Sequence, residues 1–280
     1  MGTSDLRFCG WAACELDGGP FVIALVRLMR LLVLLFFLIA GIVYGQESPE
    51  LSPVGVKIKA AMDSDIRSEE ERARDANRRP IETLEFFGLR DDMRVLELVP
   101  GSGWYTKLLG PVLAEEGELY LALGTSRIKP LLQETPGLDK VKVLAVDATV
   151  TPTDISSIVD ISSFTLDVED LDLVLTFRNL HNLTEASRGM INAAVFKALK
   201  PGGHYGIVDH TRRHMEPLTT ENRRRADPVV MIKEIEDAGF EFVDFSDLHY
   251  RPDDELRYEV GRKNVTGNTD RFTLLFRKPE

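Results

Sequence analysis

The sequence predicts an α/β domain whose sheet has seven strands, mostly parallel, with an antiparallel last strand and extra helices in front. Three observations carry that expectation. From Met93 onward, apolar runs of strand length alternate with stretches whose apolar residues recur at helical spacing, the pattern of a parallel sheet covered on both faces. A glycine turn, Gly101-Ser102-Gly103, directly follows the first run. The last two runs, 240–245 and 271–276, have no helical pattern between them, so the final strand is expected to return antiparallel.

Ahead of the sheet, residues 46–63 begin with two prolines and little periodicity and read as a linker. Ser68 and Glu71 fit the S-x-x-E capping box and start a helix. The stretch 69–79, EEERARDANRR, reads as a solvated face laced with i, i+4 charge pairs. Pro80 opens a second short helix over 81–87, which Gly88 closes.

The segment MRVLELVPGSGWYTK, 93–107, then condenses strand, turn and helix start. Val95, Leu96, Leu98 and Val99 suit a strand buried on both faces. Gly101 and Gly103 let the backbone turn sharply and approach a ligand, because no Cβ intervenes. Tyr105, Leu108, Leu109, Val112 and Leu113 repeat on one helical face, with Pro111 kinking part of that helix. The turn aims helix N-terminal N–H groups at the space above the strand, which favours a carboxylate or phosphate there.

Further strands are expected over 118–123, 141–146, 171–176 and 205–208, and helices over 127–133 and 186–199. Another helix is signalled by Asp227 as N-cap, Pro228 at the first position and Gly239 past the end. The polar stretch 149–170 reads as a loop with a short helix.

At 280 residues, 44% of them hydrophobic, the chain can bury one sizeable core. Residues 31–45 hold no charge, follow Arg27 and Arg30, and end at the small residue Gly45. We read 1–45 as a secretory signal peptide, or as a membrane anchor if it is not cleaved. Met29 offers an alternative start. With arginines in front of the apolar run, the remainder is expected outside the cytoplasm, periplasmic or secreted, touching membrane only through an uncleaved leader. Both cysteines, Cys9 and Cys14, fall in the leader, so the domain over 64–280 is expected to hold no disulfide and no cysteine metal site. The leader's three basic and three acidic residues cancel, leaving the rest at −11. That charge opposes phosphate-backbone binding, and no nucleic-acid partner is expected. No Cys/His set at zinc spacing, G-x-S-x-G or P-loop occurs, and no metal site is expected.

The glycine turn narrows the family. A dinucleotide fold wants G-x-G-x-x-G, but the third position here is Thr106. An acid inside the strand followed by G-x-G, here Glu97, Gly101 and Gly103, instead resembles the class I S-adenosylmethionine-dependent methyltransferases. Val99 stands where that motif has its first glycine. The phrase LKPGGHYGIVDH, 199–210, is similar to the family's turn into the fifth strand. More narrowly, ERARDANRRPIETLEFFGL, ELVPGSGWYT, DLVLTFRNLHNL and TDRFTLLFRKP together resemble a subfamily of predicted bacterial methyltransferases that often carry signal peptides, over Ser64–Pro279.

The resemblance implies a Rossmann-like class I methyltransferase fold, S-adenosyl-L-methionine as cofactor and a small-molecule substrate. It implies cofactor contacts from Glu97, Gly101, Ser102 and Gly103, from Thr125 after the second strand, and from Asp147 after the third. Asp147 resembles the acid that meets the adenine amino group; a loop-capping Asp is the alternative. The second strand runs out as Leu121-Ala122-Leu123-Gly124-Thr125, without the acid that most members use for the ribose, leaving Thr125 or Ser126 to serve.

In open α/β sheets, ligands bind beyond the carboxyl ends of the strands where strand order reverses. Gly101, Asp147, Arg178 to His181, and Asp209 with His210 each follow a different strand and are expected to converge there. His181 and His210 are the candidate catalytic bases, since imidazole titrates near neutral pH; structural roles in a helix turn or at a strand end are the alternatives. Arg178, Asn179 and Asp209 are candidate substrate contacts, or loop stabilisers. Two functions stay open: an exported methyltransferase acting on a small molecule, and a non-catalytic ligand-binding protein that kept the fold.

Overall fold

The computed structural model describes residues 27–29 and 50–280. The expected leader, with Cys9, Cys14 and the cleavage point, lies outside the described residues apart from 27–29. The chain divides into two units, Met1–Glu50 and Leu51–Glu280, and the sheet belongs to the second.

Pro53–Asp63 (α1) is a helix where the sequence suggests a linker. Pro53 is its first residue, a position at which a missing N–H costs nothing. Ser52 caps it, its hydroxyl accepting the Gly55 N–H at 3.0 Å. Ile58 and Ala61 are buried, and the helix packs against Thr106–Leu113 (α5). Glu69–Arg72 (α2) carries the expected capping box between Ser68 and Glu71. Asp75–Arg78 (α3) passes through Arg79, at φ 42, into Pro80–Phe86 (α4), which Gly88 ends at φ 71. This charged stretch is a solvated face only in part: Glu69, Glu70, Arg74 and Arg79 are exposed, but Lys107 pairs with Glu71 at 2.9 Å, Arg67 donates to Asp75 at 3.0 Å, and Arg78 is buried.

The sheet strands are Arg94–Leu98 (β1), Glu118–Ala122 (β2), Lys142–Val143 (β3), Leu171–Phe177 (β6), Leu199–His210 (β7), Glu241–Ser246 (β8) and Arg271–Arg277 (β9). Their order is β3-β2-β1-β6-β7-β9-β8, parallel except where β9 pairs with β7 and β8. The antiparallel final strand is therefore as expected, inserted one place in from the edge. Strand order reverses between β1 and β6. Lys129–Leu132 (α6), Glu185–Ala198 (α7) and Pro228–Asp237 (α8) complete the helices, the last capped by Asp227. Residues 149–170 hold an antiparallel hairpin, Val150–Pro152 (β4) with Val159–Ile161 (β5), rather than a short helix. Its second strand docks on α7, the Ser187 hydroxyl accepting the Ile161 N–H at 2.8 Å.

Alternation along the strands feeds two cores, one on each face. Val95, Leu173, Leu175 and Phe177 pack under α1, α4 and α5. Leu96, Leu98, Val174 and Ile207 pack under α7 and α8 with Ile191 and Ile235. Because Ile58 is 0% exposed within the first core, Ile58→Ala is expected to cost about 2–5 kcal/mol, read by urea unfolding of the full chain. A change within error would return 53–63 to linker status.

Candidate functional site

Three neighbouring strands, β2, β1 and β6, leave the sheet through left-handed residues: Leu123 at φ 60, Val99 at φ 51 and Arg178 at φ 64. Such a backbone costs roughly 1–3 kcal/mol per residue and collects at functional sites. Val99 thus adopts a glycine-like conformation at the position of the missing motif glycine. Gly124 makes room for it, since a Cβ there would lie 2.9 Å from Val99 Cγ1. Gly101, at φ 62, faces open space: a Cβ added to it meets nothing within 4 Å. Gly103 has a different task, because its Cβ would come within 2.2 Å of Ile128 Cδ1. It lets the turn pack and does not line the cavity. Among the described residues, the N–H groups of Gly101 and Ser102 donate to no protein acceptor, whereas that of Gly103 reaches Pro100 O at 2.9 Å.

Beyond these strand ends lies a two-lobed cavity at the point where strand order reverses. A polar lobe of about 630 Å³ takes in Glu97, Gly101 and Ser102 on one side and Arg178, His181 and His210 on the other. An apolar lobe of about 340 Å³ is walled by Leu123, Leu144, Val146, Ile161 and Ile191, with Thr125 at its edge. Val99, Gly124, Asn179 and Asn182 belong to both. Asp147 is exposed, and its neighbours Val146 and Ala148 form the wall in its place. The expected adenine contact is corrected accordingly: alternation along the extended chain turns that carboxylate away.

Glu97 is buried beneath the turn, and Thr106 Oγ1 donates to its Oε2 at 2.6 Å. Thr106, in the sequence only a failed third glycine, is the partner of the strand acid. Burial raises the Glu97 pKa to about 7, against the lowering effects of Thr106 and Arg78.

His181 is 4% exposed. Its Nδ1 meets Asp209 Oδ1, and its N–H donates to Asp209 Oδ2 at 3.0 Å. A carboxylate can only accept, so Nδ1 carries the hydrogen, and in the neutral ring Nε2 holds the lone pair. That Nε2 has no partner in the protein. Asp209 is fully buried, also accepts the His210 N–H at 2.7 Å, and does not line the cavity. Its expected role as a substrate contact gives way to orienting His181. His210 lines the lobe 5.4 Å from the His181 ring, with Thr269 Oγ1 3.0 Å from its Nδ1. Burial, then the neighbouring His181 imidazole, pushes its pKa well below the ordinary histidine value. Asn179 Nδ2 donates to the carbonyls of Leu98 and Val99 at 3.4 and 3.2 Å, bracing the two strand ends.

Sequence reasoning missed Arg74, Arg78, Trp104, Tyr105 and Phe177, all in the polar lobe. Tyr105 stacks on Phe177 with ring centroids 3.5 Å apart. The tryptophan beside the glycine turn was the available signal for an aromatic wall.

No family model matches the chain. It is similar to the ubiquinone/menaquinone biosynthesis C-methyltransferase UbiE of Erwinia tasmaniensis, 27% identical over 140 residues, 49% of this chain and 50% of that protein. The chain spans about half the length of the curated relatives it matches. Among solved structures, a SAM-dependent methyltransferase from Aquifex aeolicus aligns with a TM-score of 0.50 at 18% identity, covering 80% of this chain and 97% of that one. The [4+2]-cyclase SpnF aligns at 0.51 and 16%, covering 78% and 85%. These likenesses establish the fold, that of the class I methyltransferases.

The Glu97 carboxyl gives the site a pH signature. Its folded pKa of about 7 lies above the ordinary 4.5, so between those values the folded chain holds a proton that the unfolded chain has lost. Stability should therefore fall as pH rises through that window, by at most about 1.4 kcal/mol for each step of one in pH, and level off above it. Glu97→Gln is expected to flatten that slope in thermal unfolding of the full, ligand-free chain. A variant that keeps the wild-type slope would show the carboxyl ionised throughout.

Proposed function

We propose that the chain is a methyltransferase that uses S-adenosyl-L-methionine and acts on a small molecule deprotonated by His181. The observation that carries this reading is His181 Nε2, buried and unpartnered in the protein, on a ring that lines the cavity shared with the glycine turn. Fold likeness does not decide the reaction; one solved neighbour is named a cyclase.

The residues present fit the cofactor. The free N–H groups of Gly101 and Ser102 suit its carboxylate, and the apolar lobe suits an adenine ring. Thr125 and Ser126 offer hydroxyls at the end of β2, where no acid stands. When bound, S-adenosylmethionine supplies an electrophilic methyl group on a sulfonium sulfur. The protein's contribution is to hold the acceptor in line and to receive its proton at Nε2, with Asp209 stabilising the imidazolium that results. The curated relatives, named as ubiquinone/menaquinone biosynthesis C-methyltransferases, support a base near the acceptor, since putting a methyl group in place of hydrogen at carbon releases a proton that must be received.

We also propose export, on the uncharged run 31–45 behind Arg27 and Arg30. A mature N-terminus near Gln46 is expected by mass spectrometry of protein from its native host, and an intact Met1 or Met29 would favour an anchored form.

Calorimetry of the full chain with S-adenosylmethionine and S-adenosylhomocysteine tests the reading. Both ligands should bind, and His181→Ala should leave that affinity nearly unchanged. The methylation rate on a responsive acceptor should fall roughly 10²- to 10⁴-fold. Failure of both adenosyl ligands to bind at millimolar concentration would turn the assignment to a non-catalytic binding protein.

A further inference from the structure

Among the described residues, four arginines that line the polar lobe have no side-chain acceptor in the protein: Arg78, Arg178 and the exposed Arg74 and Arg127. Arg78 is the most enclosed, 3% exposed, with Nη1 buried and unbonded. Two other arginines buried as deeply are paired with carboxylates, whereas Arg271, 8% exposed, donates to the Asn77 carbonyl. Arg225 makes two bonds to Asp254, at 2.9 and 3.0 Å, and Arg67 donates to Asp75 at 3.0 Å. An enclosed cation without a counter-charge is costly unless a ligand completes it.

The surroundings of Arg78 are built rather than incidental. Its guanidinium lies over the Trp104 ring at 4.2 Å, and the indole N–H is pinned to Glu71 O at 2.9 Å. With its face on the indole, the arginine presents its in-plane fork of N–H donors, the shape that matches two oxygens of an oxyanion. Burial, then the charge on Arg178, lowers the Arg78 pKa to about 8, which marks the two cations as close neighbours. Arg178 also depresses His210, and Arg78 acts on Glu97, so the two cations lie between the histidines and the strand acid. The cofactor's own carboxylate has a separate place at Gly101 and Ser102.

We propose that Arg78, Arg178 and Arg74 form a recognition subsite for an oxyanion on the acceptor, a carboxylate or a phosphate-type group, seated beside His181. The inference rests on the methyltransferase reading and narrows its substrate class to small acids that also carry an ionisable O–H, N–H or C–H.

The test is calorimetry of the full chain with inorganic phosphate and, separately, malonate, first ligand-free and then saturated with S-adenosylhomocysteine. At least one probe should bind, with affinity within about threefold in the two states. Arg78→Met and Arg178→Met should each weaken that probe at least roughly tenfold. Arg78→Met keeps an apolar contact with Trp104 and removes an unpaired charge, so its melting temperature in anion-free buffer should hold or rise; a merely structural arginine would lower it. If S-adenosylhomocysteine displaces the probe, the arginines serve the cofactor carboxylate and the proposal falls. If S-adenosylhomocysteine binds and neither probe does, the subsite falls while the methyltransferase reading stands. Probe binding without S-adenosylhomocysteine binding would leave the oxyanion site and remove the methyltransferase reading.

Discussion

Asp209 has no exposed surface, and its two oxygens accept from the His181 N–H, the His181 ring and the His210 N–H. A buried carboxylate is tolerated only when such donors replace water. This one draws them from the turn Leu180–Asn182 that follows β6, and so clamps the ends of β6 and β7 together. The clamp decides the imidazole's orientation and tautomer at once. It also decides where the chain must leave β6, and Arg178 and Asn179 reach the cavity because the turn beyond them is held down.

The neighbouring exits interlock in the same way. Asn179 spends its amide on the carbonyls of Leu98 and Val99, tying the β6 exit to the β1 exit. Val99, left-handed, leans on the space that Gly124 leaves after β2. Each strained residue is thus held by the next strand's exit, and the parallel register of three strands sets the geometry of the cavity floor. On the far side, the Arg225–Asp254 pair anchors the loop that brings Arg224 to the same lobe. Packed strands and pinned turns carry these walls, which suits a site that works by orientation.

The parts of this fold that were legible in the sequence are those with local causes. Asp227 with Pro228, and Ser68 with Glu71, mark helix starts through bonds spanning a few residues. The glycine turn and the reversed last strand follow from patterns equally short. What escaped depends on distant partners. Asp209 stands beside His210 in sequence, yet it orients His181, 28 positions away. Arg78 looks like part of a solvated face until Trp104, from a different helix start, covers it. Prolines hid α1 because the same residue that breaks a helix interior opens a helix at its first position. Asp147 fell on the wrong side of an extended segment whose facing no local rule sets.

Charge supplies the last connection. The chain carries −11 overall, yet it gathers unpaired guanidinium groups in one lobe, where the only lining acid among the described residues, Glu97, is pushed toward its neutral form. A low-dielectric pocket lined with one sign of charge focuses counter-ions that the acidic exterior repels. The end of β2 fits that arrangement. A carboxylate at Thr125 would stand in the apolar lobe next to Gly124, which belongs to both lobes, and would offset the cationic field from there. With threonine there, the apolar lobe stays neutral and the cavity's charge is left to the polar lobe, where His181 waits for a proton.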